Sequence, residues 1–308
     1  MPHTQDLAGG IPKFKSIAIL VGFSCPLRCS HCSARTNIKR SSLTEKELLL
    51  LRSTVTGMSP EEILFSGGEP MLYVDTINRI VSAHPRPKNL DVRITTSGYF
   101  ATSVNRAAQR LSGIHNLKFV QMSYDRFHQK FVPIQNIKNL YMACRESGID
   151  FSVLMAMQSP LDLSLAMKIK EAGDFKIGTI KITEAGEAKK NGIAFEYPTF
   201  DKKVWSGHCP NRAKIAYICG KGFSLCCSYH GFESNWCNFV HPTVRAHLSS
   251  PFHSIISKRT FGGIKKYFRL SKLKLEPKHT HECTLCGYLF DEAIKLGRFS
   301  GRQTHTPK

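Results

Sequence analysis

The chain has 308 residues, 42% of them hydrophobic, and a formal net charge of +20 at pH 7. This composition is that of an ordinary globular protein and not of a typical disordered chain, and the length allows one large core, or one core with a smaller domain. No apolar run approaches the roughly 20 residues that cross a bilayer, and residues 1–15 lack the apolar segment of a signal peptide. We therefore expect a cytoplasmic protein that does not enter the membrane. The high positive charge favours an anionic partner.

Short apolar or β-branched runs alternate with helical patterns through the first two thirds of the chain. The predicted strands are 16–23, 62–69, 90–97, 117–124, 150–157 and 177–183. The predicted helices fall within 43–55, 74–84, 104–114, 133–148 and 162–173, and a Thr44–Glu47 capping box starts the first. Six such units predict an α/β fold, a partial (β/α)6 TIM-type barrel with parallel strands.

The alternation stops near residue 190. The rest of the chain holds seven of the eleven cysteines and shows no clean periodicity. It predicts a smaller, irregular, cysteine-rich domain that is stabilised by something other than a hydrophobic core. The expected divisions are an N-terminal extension (1–14), the barrel (15–190), the cysteine-rich domain (191–290) and a basic tail (291–308).

Three cysteines, Cys25, Cys29 and Cys32, lie in the stretch CPLRCSHC directly after the first predicted strand. Clustered cysteines in a reducing cytosol indicate metal or redox chemistry. A structural zinc site needs four ligands, but the next cysteine, Cys144, lies on a predicted helix and is interpreted as a core residue. Three thiolates would leave one iron of an iron–sulfur cube open to a substrate or cofactor. The loop also follows the carboxyl end of a strand, where parallel barrels place their chemistry.

Together with SGGEP (66–70) at the end of the second strand, this loop resembles the radical S-adenosylmethionine (SAM) superfamily. The resemblance implies that Cys25, Cys29 and Cys32 hold a [4Fe–4S] cluster whose open iron binds the amino and carboxylate groups of SAM. It further implies that an electron, from a flavodoxin- or ferredoxin-type donor, breaks the sulfonium C–S bond. The resulting 5′-deoxyadenosyl radical then removes a substrate hydrogen atom.

The resemblance also implies which residues contact SAM. His31 stands where the family usually has an aromatic residue near the adenine. The other implied cofactor-binding residues are Gly67, Gly68, Glu69, Pro70, Thr95, Ser97, Ser123 and Asp125. For the last four, ordinary capping of strand ends is the competing interpretation. Glu187, after the sixth strand, departs from the family pattern, which puts the usual basic contact there in doubt.

The stretch HCPNRAKIAYICGKGFSLCC (208–227) resembles the start of the SPASM or twitch extension found in peptide-modifying members of the superfamily. The resemblance implies a second [4Fe–4S] cluster on Cys209, Cys227, Cys283 and Cys286, although four thiolates also suit zinc. Cys226 is an alternative ligand to Cys227.

Four other residues of this region have open roles. Cys219 and Cys237 are structural residues, ligands or hydrogen-atom donors, and we favour the structural role. His279 and His281, beside the last two cysteines, are expected to be solvated and not to bind the metal.

The substrate class is less constrained than the cofactor. The C-terminal resemblance and the basic charge favour an acidic, ribosomally made peptide, and a separate leader-binding protein is expected because no such domain precedes the first strand. A phosphorylated small molecule or nucleotide would suit the same charge. A third hypothesis, from another class, is a non-catalytic basic protein with structural metals that binds nucleic acid, but it leaves the SGGEP segment unexplained.

Overall fold

The computed structural model of the protein describes residues 14–34, 42–232 and 238–300. The predicted N-terminal extension except residue 14, Cys237, and the last eight residues of the predicted basic tail lie outside the described residues. Within those ranges, no helix is both long and apolar enough to cross a membrane.

The described strands form one eight-stranded sheet. In chain order they are β1 (Ser16–Leu20), β2 (Glu62–Ser66), β3 (Asp91–Thr96), β4 (Leu117–Ser123), β5 (Asp150–Met157), β6 (Lys176–Lys181), β7 (Ile215–Ile218) and β8 (Gly222–Ser224). Their order across the sheet is β6-β5-β4-β3-β2-β1-β7-β8, and every neighbouring pair is parallel except β7 and β8. The first six strands match the predicted ones and confirm the partial (β/α)6 barrel.

Helices follow each of the first six strands and continue through the C-terminal region. They are α1 (Glu45–Met58), α2 (Val74–Val81), α3 (Val104–Ser112), α4 (Gln135–Glu146), α5 (Leu163–Lys170), α6 (Gly186–Lys190), α7 (Tyr229–Phe232), α8 (Val244–Leu248), α9 (Pro251–Lys258), α10 (Phe261–Tyr267) and α11 (Glu282–Lys295).

Local sequence explains where the first helices sit. The capping box at α1 is present, because the Glu47 amide donates to Thr44 Oγ1 at 3.3 Å and the Thr44 amide donates to Glu47 Oε2 at 2.8 Å. The inner faces of α1 to α4 pack with β1 to β5 in one continuous apolar core. Cys144 on α4 is fully buried in that core, as predicted.

The C-terminal region differs from its prediction in two ways. First, β7 pairs with β1, with Ile17 opposite Ile215 and Leu20 opposite Ile218, so this part of the region extends the barrel sheet. Second, the helices α9 to α11 enclose an apolar core of their own, rich in buried phenylalanines: Phe239, Phe252, Phe261, Phe268, Phe290 and Phe299. The expectation that something other than a core stabilises this region is wrong, because three helices and the segments beside them contribute phenylalanine rings to one core.

Candidate active site

A cavity of about 980 Å³ lies where the carboxyl ends of the barrel strands face the C-terminal region. On the barrel side it is lined by the loop after β1 and by the ends of β2 to β6. On the other side it is lined by residues 210–211, 227–228 and 281–283. Its volume is at the upper end of the range for small-molecule pockets, which leaves space for a cofactor together with part of a substrate.

The three cysteines of the CPLRCSHC loop all line this cavity. The loop turns tightly, because the Cys32 amide donates to the Cys29 carbonyl at 3.2 Å. Burial raises the pKa of the Cys25 thiol to about 11; the Leu27 amide opposes this rise, whereas Glu69 and the two other cysteines add to it. Thiolates this poorly solvated need a cation beside them, which fits a site that holds iron.

The backbone of SGGEP holds the cysteine loop in place. The Gly68 amide donates to the Gly22 carbonyl at 2.8 Å, and the Glu69 amide donates to the Ser24 carbonyl at 2.9 Å. A Cβ atom on Gly67 would lie 2.3 Å from the Gly22 carbonyl oxygen, and one on Gly68 would lie 2.3 Å from the Ser24 carbonyl oxygen. Gly67 also has a φ of +128°, which favours glycine. Both glycines line the cavity as well.

Glu69 links the ends of β2 and β3 and is fully buried. Its Oε1 atom accepts from Thr96 Oγ1 at 2.6 Å and from the Met71 amide at 3.2 Å, and its Oε2 atom accepts from the Ser97 amide at 2.9 Å and Ser97 Oγ at 2.6 Å. Burial raises the pKa of this carboxyl, although the four donors oppose the rise. Glu69 and its neighbour Pro70 do not line the cavity. Glu69 therefore acts from outside the cavity, by orienting Ser97, which does line it.

Asp125, after β4, joins two histidines at the cavity. Its Oδ2 atom lies 3.3 Å from His31 Nε2 and 3.0 Å from His128 Nδ1, and its Oδ1 atom accepts from the amides of Phe127 and His128. Burial raises the pKa of Asp125, but the two histidines lower it more, to well below its usual range. For His128, burial lowers the pKa, but Asp125 and Cys29 raise it to about 10. The carboxylate therefore positions both rings.

The side chain of His31, the expected adenine contact, packs against an aromatic ring. Its ring stacks on Phe127 with centroids 4.5 Å apart. It lines the cavity, and its Nδ1 atom is buried with no hydrogen-bond partner in the described parts of the chain. A ligand atom in the cavity could supply that partner.

The structure brings most of the predicted cofactor-binding residues to one wall. The residues that line the cavity are His31, Gly67, Gly68, Thr95, Ser97, Ser123 and Asp125. Sequence reasoning missed His128 and Thr96, which also line it. The signal for His128 is its position three residues after Asp125, on the same turn.

Five cysteines of the C-terminal region surround a second, small pocket with an inner space of about 20 Å³. They are Cys209, Cys226, Cys227, Cys283 and Cys286, and we call this space the five-cysteine pocket. Cys227 and Cys283 line the large cavity too, so the two sites adjoin.

The five thiols do not have equal surroundings. The backbone amides of Ser228, His230 and Gly231 all hydrogen-bond toward Cys226 and lower its pKa against the larger, opposing effect of burial. Cys227 instead is exposed and is contacted by Asn211 Nδ2 at 3.4 Å. Amide donors directed at a sulfur atom stabilise a thiolate ligand, which favours Cys226 over Cys227.

The sulfur spacing bears on the choice between zinc and a cluster. Zn–S bonds of about 2.3 Å in a tetrahedron place the sulfur atoms about 3.8 Å apart. Among the described residues, the one group of three metal-type ligand atoms within 4.8 Å of one another is His31, Asp125 and His128. Within the ranges that the structure describes, no three cysteine sulfurs lie within that distance of one another, which is already wider than the spacing in a tetrahedral zinc site.

Two predictions about residues near these cysteines have different outcomes. His279 and His281 are buried, so the expectation that they are solvated is wrong. His281 Nδ1 accepts from the Cys283 amide at 3.1 Å and caps α11, and His279 Nδ1 accepts from the Glu276 amide at 2.8 Å. Cys219 is fully buried after β7 and lines neither pocket, which agrees with a structural role.

The structure also shows what Glu187, the residue that departs from the family pattern, contacts. Its amide donates to the Cys32 carbonyl at 2.8 Å, so the start of α6 contacts the cysteine loop through the backbone and not through a basic side chain.

Comparisons with known proteins agree with this geometry. Residues 19–162 match the family model of the radical SAM superfamily. YydG of Bacillus subtilis, a protein named for peptide biosynthesis, is 24% identical over an alignment of 309 positions that covers 92% of this chain and 95% of YydG. The AdoMet-dependent heme synthase of Nitratidesulfovibrio vulgaris is 25% identical over 156 positions, covering 48% of this chain and 42% of the synthase.

A solved structure supports the fold. Native anSMEcpe with bound AdoMet and the Cp18Cys peptide superposes with a TM-score of 0.55 at 13% identity, covering 92% of this chain and 98% of that one. The chain thus carries a radical SAM domain over residues 19–162, which indicates that it is an enzyme, and the enzymes of this superfamily use a [4Fe–4S] cluster and SAM.

Proposed function

We propose that this enzyme uses SAM-derived radical chemistry to modify a ribosomally made peptide. The observation that carries the proposal is the large cavity onto which both cysteine sites open. The similarity to YydG adds support, because it extends over 92% of the chain, beyond the radical SAM domain. The net charge of +20 suits an acidic peptide, and we expect a flavodoxin- or ferredoxin-type electron donor and a separate leader-binding protein as partners.

In this proposal Cys25, Cys29 and Cys32 are the ligands of the SAM-binding cluster. The cofactors, once bound, supply the electron transfer and the C–S bond cleavage that yield the 5′-deoxyadenosyl radical. The protein positions them and excludes water. His31 contacts the adenine, and Asp125 holds His31 in place.

Polar side chains at neighbouring strand ends complete the proposed SAM site. Thr95, Ser97 and Ser123 present hydroxyl groups along one wall. Gly67 and Gly68 allow the backbone of the second strand end to approach both the cysteine loop and the cofactor.

We also propose that the five-cysteine pocket holds a second [4Fe–4S] cluster. Its ligands would be Cys209, Cys283 and Cys286 together with Cys226, which receives three amide hydrogen bonds. This replaces the expected ligand Cys227, whose thiol then remains at the wall of the large cavity.

The positive charge gives one specific reason to keep a second candidate, a phosphorylated small molecule or nucleotide. Because the chain is an enzyme, the hypothesis of a non-catalytic nucleic-acid-binding protein is set aside.

An extract experiment separates the two candidates before the substrate itself is identified. Heated extract from the source cells, filtered to remove large proteins, is added to the reduced enzyme and SAM, and 5′-deoxyadenosine is quantified. A peptide substrate predicts that the extract stimulates cleavage, that protease digestion of the extract removes the stimulation, and that phosphatase treatment leaves it. Stimulation that survives protease and is lost after phosphatase would contradict the peptide proposal.

A further inference from the structure

We infer that His230 donates a hydrogen bond to a sulfur atom of the group held in the five-cysteine pocket and thereby raises the reduction potential of that group. The inference rests on the proposed second cluster. His230 lies on α7, is 1% exposed and lines the pocket.

The first observation is that the ring lacks partners. Neither Nδ1 nor Nε2 of His230 has a hydrogen bond of normal geometry in the described parts of the chain, although the backbone of Cys286 lies close to the ring. Buried polar groups without partners are rare in folded proteins and are costly. Since the described residues give neither nitrogen a hydrogen bond of normal geometry, we expect the partner to be a group bound in the pocket.

The second observation is that aromatic rings fix the imidazole. It stacks on Phe239 with centroids 3.9 Å apart and an interplanar angle of 6°. Phe252 and Phe290 contact it edge-on, at 5.9 and 5.4 Å. None of these rings offers a hydrogen-bonding atom, whereas the pocket on which His230 borders is lined by thiols.

The third observation concerns charge. The imidazole ring carries at least one N–H donor in either of its protonation states. The sulfur atoms of a cluster accept such hydrogen bonds. Because the reduced cluster is more negative than the oxidised one, a donor stabilises the reduced state more and raises the potential.

A second buried histidine in the same region provides a matched control. His247 is fully buried, like His230. Its Nε2 atom accepts from the Leu225 amide at 3.0 Å, and its Nδ1 atom lies 3.1 Å from His241 Nδ1. His247 does not line the five-cysteine pocket. It is thus a histidine with internal partners and no access to the cluster.

The experiment compares His230→Phe and His247→Phe in the full chain with Cys25, Cys29 and Cys32 replaced by Ala, so that only the second cluster titrates. Potentiometric titration followed by electron paramagnetic resonance should show a more negative midpoint for His230→Phe and an unchanged midpoint for His247→Phe. In thermal unfolding of the metal-free chain, His247→Phe should have the larger effect on the melting temperature and His230→Phe the smaller one. His247→Phe should lower the melting temperature because it leaves the Leu225 amide unpaired, whereas His230→Phe should leave it unchanged or raise it.

His230→Gln tests whether the loss of the donor, and not a change in packing, shifts the midpoint potential. It keeps an N–H donor, so its midpoint should lie closer to the wild-type value than that of His230→Phe. A midpoint in His230→Phe equal to that of the parent would overturn the role of His230 while leaving the second cluster intact. A parent chain that binds no iron after reconstitution would instead contradict the second cluster, and with it this inference.

Discussion

Gly68 shows, at the scale of one residue, how the backbone shapes the cysteine loop. The Cβ atom of an alanine at this position would lie 2.3 Å from the Ser24 carbonyl oxygen and 2.7 Å from the Phe23 carbonyl carbon, and neither atom belongs to a flexible side chain. We expect Gly68→Ala to displace the loop that carries Cys25. The free energy of unfolding should fall by about 1–3 kcal/mol, as for other overpacked sites, and the iron bound after reconstitution should fall as well.

Gly178 on β6 is the matched control for Gly68. An added Cβ there would contact Leu154 at an ordinary 3.4 Å, so Gly178→Ala should leave iron content and SAM affinity unchanged. Wild-type iron content in Gly68→Ala would show that the loop does not depend on this close approach.

The sequence identifies the residues at this site better than it identifies their contacts. The resemblance assigns SGGEP to the cofactor. The structure shows instead that Glu69 is buried and accepts four hydrogen bonds, from the end of β3 and from its own turn. The donors on β3 lie about thirty positions away in the chain, beyond any local pattern. The wrong expectation for His281 has a similar cause. Its role as the cap of α11 depends on where that helix begins.

At the scale of elements, Glu47 connects α1 to the turn after β7. Besides closing the capping box, its Oε1 atom accepts from Tyr217 Oη at 2.9 Å and from the Gly220 amide at 2.8 Å. We expect Glu47→Gln to lower the free energy of unfolding by about 1 kcal/mol at pH 7, because a charged acceptor is lost. Glu45→Gln, on the same turn, should have a smaller effect because Glu45 is exposed and its ion pair with Arg79 lies at the surface.

The pH dependence of this contribution follows from the pKa of Glu47. Burial raises that pKa, but the hydrogen bonds from Thr44, Gly220 and Tyr217 lower it to about 2, from an ordinary value of 4.5. The folded state therefore favours the carboxylate, so the stabilisation is present above pH 4.5 and is lost as the pH falls towards 2. Chemical unfolding at several pH values should show the gap between wild type and Glu47→Gln closing over this range. A gap that stays constant would contradict the pairing.

The six barrel strands are predictable because each is an apolar run followed by a helical pattern. The strand β7 is not, because it is only four residues long and pairs with β1, about two hundred positions earlier in the chain. The helical core of the C-terminal region escapes prediction for the same reason. Its phenylalanines come from three helices and from the segments beside them, and they show no common period.

At the scale of the whole molecule, the two cysteine sites adjoin one cavity, which the spacing of cysteines in the sequence could not reveal. If both sites hold [4Fe–4S] clusters, the anaerobically reconstituted chain should contain about eight irons, and replacement of both Cys283 and Cys286 by Ala should leave about four. Metal analysis and absorption spectra measure this directly. Zinc in the second site would leave the wild type at the lower iron value.

Single substitutions distinguish the fifth thiol from the four proposed ligands. Cys226→Ser should lose iron from the second site, because three amides are directed at that sulfur, whereas Cys227→Ser should retain about eight irons. The reverse result would restore Cys227 as the ligand.

The three cysteines after β1 are central to the proposed chemistry, and one measurement tests them directly. The wild-type chain and the variant in which Cys25, Cys29 and Cys32 are all Ala are reduced anaerobically with dithionite in the presence of SAM, and 5′-deoxyadenosine is quantified by mass spectrometry. Circular dichroism checks that the variant keeps its secondary structure. We expect the wild type to form 5′-deoxyadenosine and the folded triple variant to form none. Cleavage of SAM by the triple variant would contradict the assignment of the reactive cluster to this loop.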